Sequence, residues 1–250
     1  MSFPGMKVSE GDLVPFSAAA PVGGRVLVLA PHPDDETLGC GGSVRLLVEK
    51  GVPVKVAFLT SGDKALPEGG SSYSALREKE AQKALRILGV SDCEFLRYPD
   101  RELYAVFAGF SASLSLMIED FRPDTVYSPS VVDLNPDHRA AAEAALALQK
   151  RYGFAVVFYE VTTPVRPNVL VDISRVFRFK RRAVKAYRSQ LGITDYLRLV
   201  GALNTYRTFT LGRETKYAEA FWVLGEAWET ERLLSWMHFG KLVSKKPQQC

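Results

Sequence analysis

The sequence predicts an α/β fold: a mostly parallel sheet covered by helices on both faces. Two observations carry that reading. Short, continuous apolar runs alternate along the chain with helical patterns of about ten to fifteen residues, as expected of strands buried on both faces and joined by crossover helices. The runs are bounded by glycine, proline and aspartate, the residues that end strands and helices. A chain of 250 residues is long enough to bury a core of this kind as a single domain, and it shows no internal repeat and no composition break that marks a boundary.

Residues 1–24 read as a lead-in punctuated by proline and glycine. "RVLVLA" (25–30) is the first buried strand, and "GGSVRLLVEKG" (41–51) a helix with Gly51 at its C-terminal end. "VKVAFLT" (54–60) is the second strand. "SALREKEAQKALRILGV" (74–90) is a helix stopped at Gly89, and "CEFLRYP" (93–99) a short third strand. A helix over 110–124, a strand over 125–130, an Ala-rich helix over 138–152 and a strand over 155–161 complete the alternation. The tail 223–250 reads as a helical extension. Trp228, Leu233, Leu234, Met237 and Leu242 recur at helical intervals, followed by Lys241, Lys245 and Lys246. It is a helix packed on the domain or on a partner subunit or, in a sharper reading, a basic amphipathic helix resting on a membrane surface. His238 within it reads as a packed or surface side chain.

The totals exclude several function classes. There is no apolar run near the roughly twenty residues a membrane span needs, and the first residues lack the apolar core of a secretory signal. Three widely spaced cysteines, Cys40, Cys93 and Cys250, do not make a disulfide framework and fit a reducing cytoplasm. A net charge of +4 does not argue for nucleic acid. Between Asp172 and Asp195, however, stand Arg175, Arg178, Lys180, Arg181, Arg182, Lys185 and Arg188 with no acid among them. Such a run is a solvated helix face or, functionally, a subsite favouring an anionic substrate.

The stretch "VLVLAPHPDDETLGCGG" (26–42) places a histidine and three acids where the first strand ends. A second polar cluster, "VDLNPDHR" (132–139), follows the strand at 125–130. In open α/β sheets ligands bind outside the carboxyl ends of the strands, so both clusters fall on one edge. Zinc takes imidazole and carboxylate ligands, three at a catalytic site, with one position left open. His32 and Asp35 are aimed together by the turn through Pro33, and His138 completes a His-Asp-His set; Asp34 remains as a free carboxylate able to act as general base. The competing reading is that Asp34 or Asp35 simply caps the helix that follows. Cys40, between glycines, reads as a small residue packed behind the turn.

"APHPDDETLGCGG" together with "NPDHRAAA" resembles the PIG-L/LmbE family of zinc-dependent N-acetylglucosamine de-N-acetylases. "FLTSGD" (58–63), "REKEAQKALRILGV" (77–90), "YPD" (98–100), "KRRAVKAYRSQ" (180–190) and "YAEAF" (217–221) also look like family blocks, in family order. The resemblance implies a Rossmann-like, LmbE-like fold and one zinc ion per chain, although other divalent ions suit the same donors. The implied activity is hydrolysis of the N-acetyl group of an N-acetylglucosamine-type sugar, small or lipid-linked, to acetate and a free amine. It implies His32, Asp35 and His138 as metal ligands, Asp34 as base and Asp137 as an acid orienting a neighbouring imidazole. Arg77 and Asp100 are implied near the sugar, against plainer readings of a surface ion pair between Arg77 and Glu80 and a turn residue at Asp100. The family usually has histidine where this chain has Asn135, and asparagine donates a hydrogen bond but releases no proton at neutral pH. Two alternatives stand beside this reading: a metal-dependent hydrolase of another bond, such as a phosphoester, and a sugar-binding domain weakened in catalysis, for which Asn135 is the support. The sequence is silent on oligomeric state.

Overall fold

A computed structural model describes residues 17–65 and 70–224. Eight strands form one sheet: β1 (Ala18–Ala19), β2 (Val26–Ala30), β3 (Val54–Thr60), β4 (Asp92–Tyr98), β5 (Thr125–Pro129), β6 (Ala155–Tyr159), β7 (Val169–Asp172) and β8 (Ala218–Leu224). Their order is β1-β7-β8-β6-β5-β2-β3-β4. All neighbours are parallel except β8, which runs antiparallel to both β6 and β7. The crossover helices are α1 (Asp35–Glu49), α2 (Ser71–Leu88), α3 (Phe107–Phe121) and α4 (Pro136–Tyr152). Three shorter ones follow β7: α5 (Phe177–Val184), α6 (Arg188–Leu191) and α7 (Tyr196–Tyr206).

Successive strand residues point to opposite faces, and β2 shows the result. Val26, Val28 and Ala30 enter one core with residues of α1, α2 and α5, while Leu27 and Leu29 enter a second core with residues of α3 and α4. A strand buried on both faces has no polar side to present, which is why it reads as an unbroken apolar run.

The chain winds outward from β2 through β3 to β4, then returns to place β5 on the other side of β2, where Val26 pairs with Thr125. The winding therefore reverses between β2 and β5, and a crevice opens at their carboxyl ends.

Several expected boundaries shift. The helix expected over 41–51 begins six residues earlier, at Asp35, and bends at Cys40, whose φ of −134° is not helical. The bend frees backbone N–H groups of the next turn, and the Glu219 carboxylate on β8 accepts from Gly42 N at 2.8 Å and Ser43 N at 2.7 Å. Residues 41–49 are thus capped as a helix of their own. At Gly39 the helix closes on β6 so tightly that a Cβ would lie 2.1 Å from the Tyr159 ring. The helix expected over 110–124 ends at Phe121, because Pro123 disfavours a helical residue before it. The lead-in 1–24 includes the edge strand β1, and the expected helical extension 223–250 begins with the last two residues of β8. The helix and His238 expected beyond them, and Cys250, lie outside the described residues.

Candidate metal centre and cavity

The crevice between β2 and β5 is filled by the two polar clusters. After β2 the chain turns sharply through Pro31–Asp35. Thr60 of β3 holds Pro31 O twice, from its N at 3.0 Å and its Oγ1 at 2.8 Å. Asp34 sits at φ 130°, ψ −27°, a region that residues other than glycine rarely occupy. Its neighbours hold it there: Glu36 accepts from Asp34 N at 3.2 Å, and Arg77, reaching across from α2, donates to Pro33 O and to Asp34 Oδ2 at 3.1 Å. Arg77 also donates to Gly62 O at 2.9 Å. The guanidinium stands where a side chain at Gly62 would project, and Gly62 adopts φ +63°.

This turn brings His32 Nδ1 within 3.3 Å of Asp35 Oδ2, and across the crevice His138 Nε2 lies 3.2 Å from the same oxygen and 3.3 Å from His32 Nδ1. The three donor atoms form a near-equilateral triangle. A tetrahedral ion with bonds of about 2.0–2.1 Å has ligand–ligand edges of about 3.3–3.4 Å, so the residues present fit such an ion. The remaining nitrogens are turned to acids. His32 Nε2 lies 3.1 Å from Asp100 Oδ1 and 3.3 Å from Asp137 Oδ2. His138 Nδ1 lies 3.2 Å from Asp133 Oδ1. Acids on the outer nitrogens fix the tautomers that leave Nδ1 of His32 and Nε2 of His138 as donors toward one point.

The acids are themselves anchored. Asp137 accepts from Arg101 N at 2.7 Å and Leu103 N at 3.2 Å, Asp100 from Lys64 N at 2.9 Å, and Asp133 from Asn135 N at 2.9 Å and Thr162 N at 3.1 Å. Burial raises the Asp34 carboxyl, against the Arg77 guanidinium and together with repulsion from Asp35, to about 7. Burial also opposes charge on Asp35, but His138 and His32 outweigh it and hold that carboxyl well below its usual range. On His138 burial is overcome by Asp35 and Asp133, which push the imidazole up to about 9. A site that draws protons onto both imidazoles is one whose field favours a cation.

The cap reading of the two aspartates does not hold: Asp34 makes no side-chain cap hydrogen bond, and Asp35 Oδ2 accepts from His32 N at 2.8 Å. The true cap lies on the other loop. Asn135 Oδ1 accepts from Asp137 N at 2.9 Å as the N-cap of α4. That leaves the side-chain NH2 as what Asn135 can offer to a ligand. The surface-pair reading of Arg77 and Glu80 is also overturned. Both are buried, and Glu80 accepts from Ser189 N at 3.0 Å and Ser189 Oγ at 2.6 Å. Arg77 and Asp100, expected near the sugar, do line the cavity, but their side chains are engaged with Asp34 and with His32.

Sequence reasoning passed over Asp133 and Glu36. Asp133 precedes the capping asparagine by two residues and reads as a loop acid. Glu36 is fully buried under the turn, where it accepts from Tyr187 OH at 2.5 Å, and burial raises it to about 6. The signal for Glu36 was in plain view, since a third acid in a row at a strand end needs its own partner.

These groups sit in a cavity of about 650 Å³, lined by His32, Asp34, Asp35, Asp100, Asn135 and His138 among others. None of the seven cations between 175 and 188 lines it. Lys180 is fully buried and pairs with Glu219 at 2.6 Å, and Arg175 pairs with Glu49. Arg178 and Arg181 border a separate groove. The expected anion subsite is therefore not at this cavity.

Comparison with known proteins agrees with the geometry. The family model described as PIG-L, GlcNAc-PI de-N-acetylase, matches residues 27–149. A probable N-acetyl-alpha-D-glucosaminyl L-malate deacetylase 2 of Bacillus cereus is 31% identical over 184 residues, covering 66% of this chain and 83% of that protein. A diacetylchitobiose deacetylase of Thermococcus kodakarensis is 30% identical over 190 residues, covering 66% and 70%. Among solved structures, a conserved protein of Thermus thermophilus superposes with a TM-score of 0.68 at 32% identity, covering 78% of this chain and 92% of that one. The motifs that build the crevice thus lie in the matched region, and the chain belongs to the PIG-L/LmbE-like family of N-acetylglucosamine de-N-acetylases.

Proposed function

We propose that the protein is a zinc-dependent hydrolase that removes the acetyl group from an N-acetylglucosamine-type substrate. The observation that carries it is the triangle of His32 Nδ1, Asp35 Oδ2 and His138 Nε2, set in the same cavity as the buried, partly free carboxylate of Asp34. The N,N,O donor set suits zinc. When bound there, zinc polarises the amide carbonyl and lowers the pKa of water toward 7.

The remaining work falls to this chain's own groups. Among the described residues only Arg77 bonds the Asp34 carboxylate, through Oδ2, so Oδ1 is uncommitted. Asp34 takes a proton from the attacking water as its oxygen adds to the acetamide carbon. The same proton passes to the nitrogen as the C–N bond breaks, giving acetate and an amine. Asn135, with Oδ1 fixed by the helix cap, offers its NH2 to the oxygen on which negative charge develops. Asp100 and Asp137 hold the His32 ring, and Asp133 holds that of His138. The proposed substrates are small or lipid-linked N-acetyl sugars, and a cytoplasmic setting is supported by three widely spaced cysteines that make no disulfide framework. No helix among the described residues is long and apolar enough to cross a membrane.

The test is acetate release from a panel of N-acetylglucosamine glycosides, followed by mass spectrometry with zinc added and with chelator. Zinc-dependent loss of one acetyl group is the expected result. Release of phosphate from sugar phosphates, with the acetamide intact, would overturn the reading.

A further inference from the structure

Resting on the de-N-acetylase reading, we infer that the cavity takes a substrate whose sugar carries an apolar aglycone, and that α7 is the wall that recognises it. The cavity lining is of two kinds. Its polar part includes His32, Asp35, Asp100 and His138. Its apolar part includes Ile193, Tyr196, Leu199, Val200 and Leu203, with Pro164, and most of these stand on α7. A cavity of about 650 Å³ lies in the range that encloses drug-sized ligands, more than one N-acetylated pyranose fills.

Two features of α7 say what the rest is for. Its inner face is spent on the fold: Val200 is buried, and Asn204 donates to Ala218 O at 2.9 Å. Its other face carries an apolar stripe that is exposed among the described residues. Leu199 is 45% exposed, Tyr206 is 65% exposed, and Ile193 just ahead of the helix is 50% exposed. Leu199, Leu203 and Tyr206 recur at i, i+4 and i+7 and so share one face. That stripe starts inside the cavity and continues onto the surface, about 10 Å along the helix at 1.5 Å per residue.

Charge points the same way. Among the described residues the only cations lining the cavity are Arg77 and Arg101. Arg77 is bonded to Asp34 through its guanidinium, and Arg101 lies in the loop whose backbone N–H groups hold Asp137; neither stands on α7. No cation of α7 lines the cavity, Arg198 bordering the separate groove instead, whereas an alkyl or aryl group meets Leu199 and Leu203 there. Contiguous exposed apolar side chains at the mouth of a polar site mark a ligand contact.

The experiment measures kcat/KM for methyl, butyl and octyl β-glycosides of N-acetylglucosamine, below micelle-forming concentration, with the full chain loaded with zinc. Full burial gains about three- to four-fold per methylene. We expect at least a ten-fold rise from methyl to octyl, carried mainly by KM. Leu199→Asn should cut the octyl-to-methyl ratio several-fold. Leu116→Asn, 69% exposed on α3 and away from the cavity, should leave the ratio intact. Equal turnover of methyl and octyl glycosides would overturn the inference and leave the deacetylase reading standing. Binding of octyl β-glucoside, which has no acetamide, is measured by calorimetry in parallel. Octyl binding that depends on Leu199, without release of acetate from any glycoside, would sustain the apolar wall and sink the deacetylase reading. Neither binding nor chain-length dependence would remove the wall. A dimer that dissociates on Leu199→Asn, with no chain-length dependence, would assign the stripe to a second copy and also overturn the inference.

Discussion

At the scale of single residues, Asp34 is where the chain departs furthest from an unstrained backbone. A residue held in a sparsely populated region costs on the order of 1–3 kcal/mol and persists only where its surroundings impose it. Here Arg77, Glu36 and the anchored Pro31 impose it. Asparagine keeps the shape of the side chain and its backbone preferences are close to those of aspartate, so Asp34→Asn isolates the charge. It should retain the metal, by elemental analysis, and lose turnover by about 10²- to 10⁴-fold. The sign of the pH dependence follows from the same group. A base must be ionised, so kcat/KM falls as pH drops through its pKa. That pKa is about 7 in the absence of a cation and lower beside a bound one. The Asn variant should lack this acidic limb. At Asn135 two roles overlap, and Asn135→Asp separates them. It keeps an acceptor for the Asp137 N–H and removes the NH2. Chemical denaturation should show little change with Asp, whereas Asn135→Ala should lose about 1 kcal/mol of helix capping. Turnover should fall in both if the NH2 takes part. That His32, Asp35 and His138 gather at one point beside Asp34 was legible in the sequence because each carries its chemistry in its own residue type. Asp133 was not, because its significance lies in touching His138, a fact of the fold.

At the scale of elements, strands β2 to β6 and the four crossover helices between them were legible because each carries a complete local signal, whereas β1, of two residues, and β7, of four, are too short to carry one. The segment from 175 to 224 was not. Its seven cations suggested a single solvated face, yet Lys180 is the buried partner of Glu219, and β8 runs against the direction of β6 and β7. The Lys180–Glu219 pair joins α5, β8 and the bent α1 in one contact, because the same carboxylate holds Gly42 N and Ser43 N. Removing one member of a buried pair leaves the other uncompensated, at a cost of about 3–5 kcal/mol. Glu219→Ala should therefore lower the midpoint of urea unfolding markedly. Lys180→Met combined with Glu219→Gln should recover much of the loss. Equal destabilisation by single and double variants would show that packing alone matters at this junction.

At the scale of the whole molecule, the proposed metal would link the two halves of the sheet, since the three residues placed to hold it follow β2 and β5. A ligand that binds only the folded state adds about 4 kcal/mol at a thousand times its Kd. For a chain of this size each kcal/mol moves Tm by about 2–4 °C. Chelation should thus lower Tm by roughly 8–16 °C under those conditions, measured by calorimetry, and His138→Ala should abolish the difference. The arrangement also sets an order of events during synthesis. His32 and His138 are 106 residues apart, so a growing chain exposes two ligands long before the third. Until β5 has left the ribosome and settled against β2, there is no pocket in which an ion can be retained. Ion capture then becomes a clock for assembly, ticking only once the centre of the sheet has closed, and a chain arrested before β5 should leave the ribosome empty-handed.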